Sequence, residues 1–407
     1  MENIQIDKIA YFTVCNNAYL DRAIVLAESL FEKNSVILKI YLFEKNLPSL
    51  NKDISIFCEI ILINEINFDR INELAFKYDV VEFTTSLKPY ISLILLEKYK
   101  KVIFFDPDIY VLDSTKEIED LLDNQDLLLT SHFNTPELND VDNPDLGMMR
   151  FGSFNLGFFA VKNSINGKAF LKWWNNKCLD QCFFETQFGI STDQKWVSIA
   201  NAFFDFLYII RNPGYNVAYW NLFEREITFS NNKYFANNNN IIFFHFSTYD
   251  TEKSSNITKR IIIKDEFISS ALLQLSNEYF TKLKNYKNII NLFEKKYSYN
   301  YFSNGNFISP TLRRAYASKI NFFTNHQDPF LYNSVVYKFA KRNYLLTKKD
   351  KFLLHGYDKI ESNKTFFIIL NKLLKVSLFI LGPNKFFNLS RLFVYLSSYN
   401  RNKSLWK

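Results

Sequence analysis

Four apolar residues in a row, Val102 to Phe105, are followed at once by Asp106-Pro107-Asp108. An uninterrupted apolar run predicts a strand buried on both faces, as in a parallel sheet covered by helices. Pro107 cannot donate to a ladder hydrogen bond, so the strand should stop there. Residues i and i+2 of an extended segment point the same way, so the two carboxylates should converge on one ion or ligand. The alternative is a pair of solvated loop acids, the commoner meaning of an isolated D-x-D.

The segments around this strand alternate between strand and helix patterns. The predicted strands are 8–14, 36–43, 60–63, 127–131 and 241–247, the segment 151–161 is predicted to be a turn followed by a strand, and the predicted helices are 19–32, 68–78, 91–99, 115–122 and 167–182. This alternation predicts an α/β protein with a doubly wound sheet. The loop 134–148 has no periodicity and is predicted to be a lid. A short helix is predicted after Thr192 or Asp193, either of which can cap it.

Glycine and cysteine usage exclude several kinds of site. None of the nine glycines precedes Gly147, so the first 146 residues contain neither a G-x-G-x-x-G dinucleotide site nor a P-loop. The four cysteines lie at no ligand-like spacing, which favours buried thiols in a reduced, cytoplasmic protein. Residues 1–8 carry three charges and no apolar run, unlike a secretory signal.

Charge is distributed unevenly along the chain. Residues 338–407 contain fifteen Lys and Arg against three Asp and Glu, a net +12, and subtracting this from the overall +7 leaves −5 for residues 1–337. The pattern from about residue 257 onward is helical. The apolar segment 366–381 is interrupted by polar residues and is too short for a bilayer, which needs about 20 apolar residues. One side of a helical wheel carries Lys364, just before this segment, and Asn371, Lys372 and Lys375 within it. The segment therefore either lies on an anionic membrane or docks on the main domain.

Several motifs, taken together and in this order, resemble bacterial glycosyltransferases of the GT-A type, close to glycosyltransferase family 8. They are N-N-A-Y-L at 16–20, L-K-P-Y at 87–90, D-P-D at 106–108, F-N-L-G at 154–157, T-D-Q-K-W at 192–196, N-P-G-Y-N-V-A-Y-W-N-L at 212–222 and F-F-H-F-S at 243–247. The resemblance covers roughly residues 8–332. It implies a GT-A doubly wound mixed sheet with a helical, basic C-terminal extension. We predict a catalytic domain at 1–256, a helical extension at 257–335 and a basic amphipathic tail at 336–407.

The resemblance implies a metal site made by Asp106, Asp108 and His245 that holds Mn²⁺ or Mg²⁺. Hard carboxylate ligands suit such ions, which offset the charge that develops on a departing diphosphate. A lone histidine after an apolar strand is more often a packed or hydrogen-bonded residue, and the upstream D-x-D favours the ligand interpretation.

The remaining donor contacts are also implied by the resemblance. Tyr11, Thr13 and Asn17 lie where the base and ribose of the nucleotide usually bind, and Asp106 contributes to the donor site as well. Lys88 is a candidate contact to the diphosphate as a point charge, with a solvated lysine as the alternative.

The sugar and acceptor contacts complete the predicted site. Asn155 and Gly157 resemble the segment that lines the donor sugar, with a turn at the start of a strand as the alternative for Gly157. Asp193 and Gln194 match the acid and amide near the reacting carbon, and a helix N-cap is compatible with that role. The acceptor-side candidates, whose aromatic faces suit sugar rings, are Tyr215, Asn216 and Trp220, although core packing explains Trp220 equally well.

One departure from the family concerns the segment after the histidine. Family 8 enzymes commonly have a glycine and a lysine there that grips the diphosphate, whereas this chain continues Phe246-Ser247-Thr248-Tyr249-Asp250, and Lys253 is the nearest basic residue. The grip on the leaving group would then come from Lys253 or from the C-terminal extension.

The predicted function is the metal-dependent transfer of a sugar from a nucleotide-sugar donor to a surface glycan of the lipopolysaccharide, O-antigen or capsule type. The family likeness implies a UDP-linked donor and retention of anomeric configuration. The acceptor would be a glycan or lipid-linked glycan, and no nucleic-acid partner is predicted. The location would be the cytoplasm, peripheral on the inner membrane face through the tail. One alternative is a silent GT-A-fold glycan-binding protein. Another is a haloacid-dehalogenase-type phosphotransferase, disfavoured because Tyr110 stands where that family has Thr or Val.

Overall fold

The computed structural model describes residues 9–136, 144–291, 295–323, 328–348 and 364–397. The chain forms two compact units. The first contains the described residues up to Ile71 together with Val80–Ser298, and the second contains Asn72–Asp79 and the described residues from Tyr299 onward. The boundaries that we predicted at 256 and 335 do not coincide with this division.

A seven-stranded sheet forms the centre of the first unit. Its strands, in spatial order, are β10 (Leu207–Ile209), β6 (Leu127–Ser131), β7 (Phe154–Lys162), β4 (Lys101–Phe105), β1 (Ile9–Cys15), β2 (Leu38–Leu42) and β3 (Cys58–Leu62). All neighbouring pairs are parallel except those of β7, which runs antiparallel to β4 and β6. The predicted α/β class with a mixed, mostly parallel sheet is therefore confirmed.

The helices of the first unit follow the predicted alternation. They are α1 (Leu20–Asn34), α3 (Val80–Ser86), α4 (Lys88–Leu95), α5 (Lys116–Asn124), α6 (Pro144–Phe151), α7 (Ile165–Gln181), α8 (Gln194–Val197) and α9 (Ser270–Tyr286), while α2 (Ile71–Lys77) crosses the boundary between the units. Three of them correct the predictions. The helix predicted at 91–99 begins at Lys88, and the segment before it forms helix α3. The end of the loop 134–148 forms helix α6, and residues 137–143 of that loop lie outside the described part.

The strand β4 is buried as its apolar run predicts. Phe104 packs on Phe12 of β1 and Phe159 of β7, with ring centroids 4.9 and 5.1 Å apart. Every residue from Val102 to Phe105 is fully buried. Burial of this kind stabilises a strand by about 1.5–3 kcal/mol for each large apolar side chain. It therefore fixes the end of the strand and the position of Asp106 after it.

The two short strands β5 (Ile109–Val111) and β14 (Phe243–His245) form an antiparallel pair beside the main sheet. The remaining strands form two small antiparallel sheets, one of β8 (Phe184–Glu185) and β9 (Ile190–Ser191) and one of β11 (Ile227–Ser230), β12 (Lys233–Ala236) and β13 (Asn239–Asn240). Helix α9 closes the same unit against α1, where Lys282 Nζ lies 3.2 Å from a carboxylate oxygen of Glu28. The helical pattern expected from residue 257 therefore begins later, at Ser270, and only a short 3₁₀ turn at Asp265–Phe267 precedes it.

The second unit contains α10 (Pro310–Ser318), α11 (Ile320–Phe323), α12 (Val335–Arg342) and α13 (Lys364–Ser397). One of its buried polar side chains is Arg313, which is 2% exposed. The guanidinium donates to the backbone oxygens of Ala75, Phe76 and Tyr78 and to that of Tyr299. These bonds satisfy carbonyls that the end of α2 leaves without a partner in the helix.

Helix α13 carries the predicted tail segment and is broken at Gly382, where φ is +72° and Pro383 follows. Between 368 and 394 its apolar side chains are largely exposed, as Phe379 is by 89% and Phe393 by 64%. In the described ranges, the helices all fall short of the length and apolarity that a membrane span requires.

Candidate active site

Three strand ends bring the D-x-D and the histidine together. The pairing of β4 with β7 sets Phe105 opposite Phe158, and the backbone N–H of Asp106 donates to the carbonyl of Gly157 at 2.7 Å. The pairing of β5 with β14 sets Ile109 opposite His245, so the histidine lies beside Asp108. The site therefore stands at the carboxyl end of β4, where open α/β sheets bind ligands.

The D-P-D triplet differs from the predicted extended geometry. The backbone N–H of Ile109 donates to the carbonyl of Asp106 at 3.1 Å, so the triplet forms a tight turn between β4 and β5. Pro107 favours such a turn because its ring fixes φ. The prediction that the strand stops at Pro107 is confirmed, and the carboxylates converge through the turn rather than through the period of a strand.

Asp106, Asp108 and His245 offer three ligand atoms that lie within 4.8 Å of one another. The Nε2 atom of His245 is 3.0 Å from Oδ1 of Asp108 and 3.9 Å from Oδ2 of Asp106. Two carboxylate oxygens and one imidazole nitrogen form a donor set that fits Mn²⁺ and Mg²⁺. The Nδ1 atom faces Oδ1 of Asn216 at 3.3 Å, which orients the ring as the second partner of a metal-binding histidine does.

The same contacts shift the titration of this cluster. Burial opposes both charges, but the attraction between the two partners outweighs it. The pKa of Asp108 is therefore lowered, and the pKa of His245 is raised. A positive charge is thus favoured beside Asp108.

Gly157 lies directly under the imidazole ring. A Cβ built at this position would be 2.4 Å from Cε1 of His245 and 2.8 Å from Oδ1 of Asn155. Such distances are far below van der Waals contact, so any side chain would displace the histidine. Glycine is needed at this position because His245 approaches it so closely. The alternative prediction, a turn at the start of a strand, is wrong because Gly157 lies within β7.

A buried ion pair stands next to the metal-binding cluster. Lys88 Nζ donates to Oδ1 of Asp106 and to the carbonyl of Leu156, both at 3.0 Å, and lies 3.4 Å from Oδ2 of Asp193. Burial would lower the pKa of Lys88, but the two carboxylates outweigh it and the pKa is raised. Burial raises the pKa of Asp193, and the ammonium of Lys88 opposes that shift. The alternative of a solvated lysine is therefore wrong, since Lys88 is 2% exposed.

The amide side chains form the wall above this pair. Gln194 accepts a hydrogen bond from the backbone N–H of Leu156 at 3.0 Å and donates to the carbonyl of Phe151 at 3.0 Å. Asn155 Oδ1 accepts from the backbone N–H of Gly157 and from Nδ2 of Asn216. Asp193 precedes α8 but makes no capping hydrogen bond with its side chain, because its carboxylate is turned towards Lys88.

A cavity of about 970 Å³ opens above these groups. Of the predicted site residues, those in its wall are Lys88, Asp106, Asp108, Asn155, Asp193, Gln194, Trp220 and His245. The wall also contains Tyr19, His132 and Arg260, which the sequence analysis did not single out. His132 follows β6 at its carboxyl end, so the argument used for Asp106 would have found it. Arg260 lies in an irregular segment that has no periodic signal.

Six predicted residues lie outside the cavity wall, namely Gly157 beneath the imidazole ring and five others. The hydroxyl of Tyr11 donates to Glu119 at 2.8 Å, and that of Tyr215 donates to Glu117 at 2.6 Å, both on α5. Thr13 is fully buried, and the backbone N–H of Asn17 donates to the carboxylate of Glu44. Asn216 is also fully buried and acts on the site through His245 and Asn155. The structure thus brings together the residues predicted to hold the metal and most of those predicted to line the donor sugar, and it leaves the three predicted base-binding residues outside the wall.

The arrangement can bind a divalent cation at the floor of a cavity large enough for a nucleotide sugar. One buried carboxylate, that of Asp108, lies beside His245, and another, that of Asp193, lies beside Lys88. These fixed charges surround the place where a bond would break. Aromatic side chains, among them Trp220 and Tyr219, supply flat faces for sugar rings.

No protein-family model matches the chain. It is similar to the uncharacterized protein YfnF of Bacillus subtilis (strain 168), with 22% identity over 253 residues, which are 59% of this chain and 81% of that protein. Among solved structures it is similar to the glycosyltransferase GlyE of Streptococcus pneumoniae TIGR4, with 14% identity, a TM-score of 0.40 and coverage of 70% of this chain. The match spans 66% of GlyE, slightly under two thirds of its length. It is also similar to the galactosyltransferase LgtC, with 13% identity, a TM-score of 0.40 and coverage of 68% of this chain and 95% of that one.

Proposed function

We propose that this protein is a metal-dependent glycosyltransferase that moves a sugar from a nucleotide-sugar donor to a glycan acceptor. The observation that carries the proposal is the cluster of Asp106, Asp108 and His245 on the floor of the 970 Å³ cavity, beside the buried pair of Lys88 and Asp193. The order of the sequence motifs, which resembles glycosyltransferase family 8, supports the same activity.

In such a transfer, the bond between the anomeric carbon and the diphosphate oxygen breaks, and its electron pair stays on the nucleoside diphosphate. The acceptor hydroxyl oxygen forms the new bond to carbon and releases its proton. A divalent ion held by Asp106, Asp108 and His245 would offset the charge left on the diphosphate. Asp193 and Gln194 stand on the sugar side and would orient the reacting carbon, and the aromatic faces of Trp220 and Tyr219 would hold the acceptor.

The finer features of the proposal come from the family likeness. They are a UDP-linked hexose or N-acetylhexosamine as donor, retention of anomeric configuration, and a surface-glycan acceptor reached from the cytoplasm. Retention is tested by the proton coupling constant of the product's anomeric position in NMR. If the product had the inverted configuration, the likeness to family 8 would no longer predict the mechanism.

A screen of nucleotide sugars tests the main proposal. We expect one donor to be hydrolysed slowly in the presence of Mn²⁺ or Mg²⁺, and hydrolysis to stop when EDTA removes the metal and to return when the metal is restored. Binding of each donor is measured in parallel by calorimetry. If no donor binds with any metal, the protein is better regarded as a glycan-binding protein, and release of phosphate from a sugar phosphate instead would favour the phosphotransferase alternative.

We also propose that helix α13 binds an anionic membrane surface. Its side chains between 368 and 394 include four basic residues and no acid, and large apolar side chains such as Leu373 and Phe379 are exposed. Lys372 and Lys375 are three residues apart and share one side of the helix. Apolar residues inserted into the interface and lysines at the headgroups are the features of a helix that lies on a membrane.

Replacing Lys372 and Lys375 with glutamine tests this membrane contact. Each lysine near an anionic surface contributes about 1 kcal/mol, so the double variant should bind phosphatidylglycerol-containing vesicles roughly thirtyfold more weakly. Flotation of the full-length protein with vesicles measures the binding, and hydrolysis of a soluble donor should stay unchanged. The matched control removes two exposed lysines elsewhere, Lys98 and Lys172. Equal binding by the two double variants would refute the membrane contact.

A further inference from the structure

The floor of the cavity is close to neutral once a divalent ion is bound. Asp106, Asp108 and Asp193 contribute three negative charges, and Lys88 contributes one positive charge. With His245 neutral as a ligand, a divalent ion brings the sum to zero. Resting on the proposed function, this charge count means that the ion is already balanced by the protein and offsets only part of the negative charge that the broken bond adds to the terminal phosphate. A further cation in the wall would offset the rest.

Two cations in the wall are free to meet that demand. Lys88 and His245 are held by carboxylates, as described above. Among the described residues, the other Lys and Arg side chains in the cavity wall are Arg260 and Lys264, and neither lies within 4.0 Å of a described carboxylate. His132 is also in the wall, but burial lowers the pKa of its imidazole to about 4. The neighbouring Lys259 differs on both counts, since it lies outside this wall and pairs with Asp250 at 3.1 Å.

The position of Arg260 favours it over Lys264. Its guanidinium carbon lies 5.1 Å from the centroid of the Phe151 ring, at the end of α6, so the aromatic face supports the cation. Burial raises the pKa of Tyr219, and the positive charge of Arg260 opposes that rise. Burial lowers the pKa of His132, and the charge of Arg260 adds to that decrease. Both of those side chains also line the cavity, so the charge of Arg260 is felt inside it.

Lys253, the cation nearest to His245 in sequence, does not serve this role in the structure. It is exposed and lies outside the cavity wall. The segment from Arg260 to Lys264 is in the wall instead, and its three isoleucines, Ile261 to Ile263, add apolar surface between the two cations.

We propose that Arg260 binds the diphosphate of the nucleotide donor and stabilises the nucleoside diphosphate when it leaves. The planar guanidinium can donate two parallel hydrogen bonds to phosphate oxygens, which the ammonium of Lys264 cannot. Phe151 is the positioning residue, because its ring supports the guanidinium from below. Arg260 takes no proton and forms no bond in the transfer, so its contribution is to the binding of the diphosphate and to the charge on the leaving group.

The test compares a nucleoside diphosphate with the nucleoside that lacks its phosphates. Calorimetry with Mn²⁺ measures the binding of UDP, GDP, CDP and ADP and of the four nucleosides to the full-length protein. For the diphosphate that binds best, Arg260→Gln should weaken binding about ten- to a hundredfold, because a charge-assisted hydrogen bond is lost. Binding of the matching nucleoside should not change, and Arg260→Lys should recover part of the loss.

Lys259→Gln is the matched control, since it removes the same charge one residue away. It should leave diphosphate binding within about twofold of the wild type, and Lys264→Gln should cost less than Arg260→Gln. The inference is overturned if Arg260→Gln binds the diphosphate as the wild type does, or if Lys259→Gln weakens it equally. Failure of the wild type to bind any of the four diphosphates would instead overturn the proposed function, and this inference with it.

Discussion

Asp108→Asn is expected to lower the rate of metal-dependent donor hydrolysis about a thousandfold. Asp108 is 7% exposed and its Oδ1 lies 3.0 Å from Nε2 of His245. Asparagine keeps the shape but removes the negative charge that a divalent ion requires. A metal ion contributes several kcal/mol of charge stabilisation to such a reaction, and about 1.4 kcal/mol corresponds to a factor of ten in rate.

Two measurements separate loss of the metal from loss of the fold. Titration of the protein with Mn²⁺ in a calorimeter should show much weaker binding by Asp108→Asn, and circular dichroism should show an unchanged fold. The control is Asp113→Asn, at the other end of β5, where the carboxylate pairs with Lys233 outside the cavity. This control should keep wild-type Mn²⁺ affinity and hydrolysis. Wild-type Mn²⁺ affinity in Asp108→Asn would contradict the assignment of Asp108 as a ligand.

The D-x-D part of the candidate metal site could be predicted because its signals are local. An apolar run gives the strand, and Pro107 gives the place where it ends, so the carboxylates are fixed within one or two residues. What the sequence could not supply is the pairing of β5 with β14, which sets His245 beside Asp108. That pairing joins segments more than a hundred residues apart, and periodicity within either segment carries no information on it.

The base-binding residues show the opposite case. Tyr11 and Thr13 are two apart in β1 and therefore point the same way, and the structure places that face against the core, where Tyr11 packs on Phe105. The cavity wall instead contains Val14, Cys15 and Asn16, at the end of the same strand. A strand buried on both faces has no alternation of polar and apolar residues, so the sequence does not show how far along the strand the residues that face the ligand begin.

The buried lysine was the least predictable part of the site. A lysine before a proline is usually solvated, and the segment 84–90 had no helical period. In the structure Lys88 opens α4 and is enclosed by carboxylates from two other parts of the chain, Asp106 and Asp193. Only the tertiary fold brings these charges together, and the cost of burying each is offset by the others.

Replacing Lys88 with methionine should therefore destabilise the first compact unit by about 3–5 kcal/mol, because it leaves the buried carboxylate of Asp193 without its cation. Four of the five tryptophans lie in this unit, so urea unfolding followed by tryptophan fluorescence reports on it. Donor hydrolysis should also be lost, since Asp106 is no longer held by the 3.0 Å hydrogen bond from Lys88.

The double variant Lys88→Met with Asp193→Asn should recover most of the lost stability, because it removes the uncompensated charge as well as its partner. Lys101→Met is the matched single control. That lysine pairs with Asp123, whose side chain is 63% exposed, and an ion pair of this kind contributes about 1 kcal/mol or less. If Lys88→Met were no more destabilising than Lys101→Met, the buried pair would not stabilise the site. If the double variant were as unstable as the single one, the loss would come from packing around the lysine stem and not from the charge of Asp193.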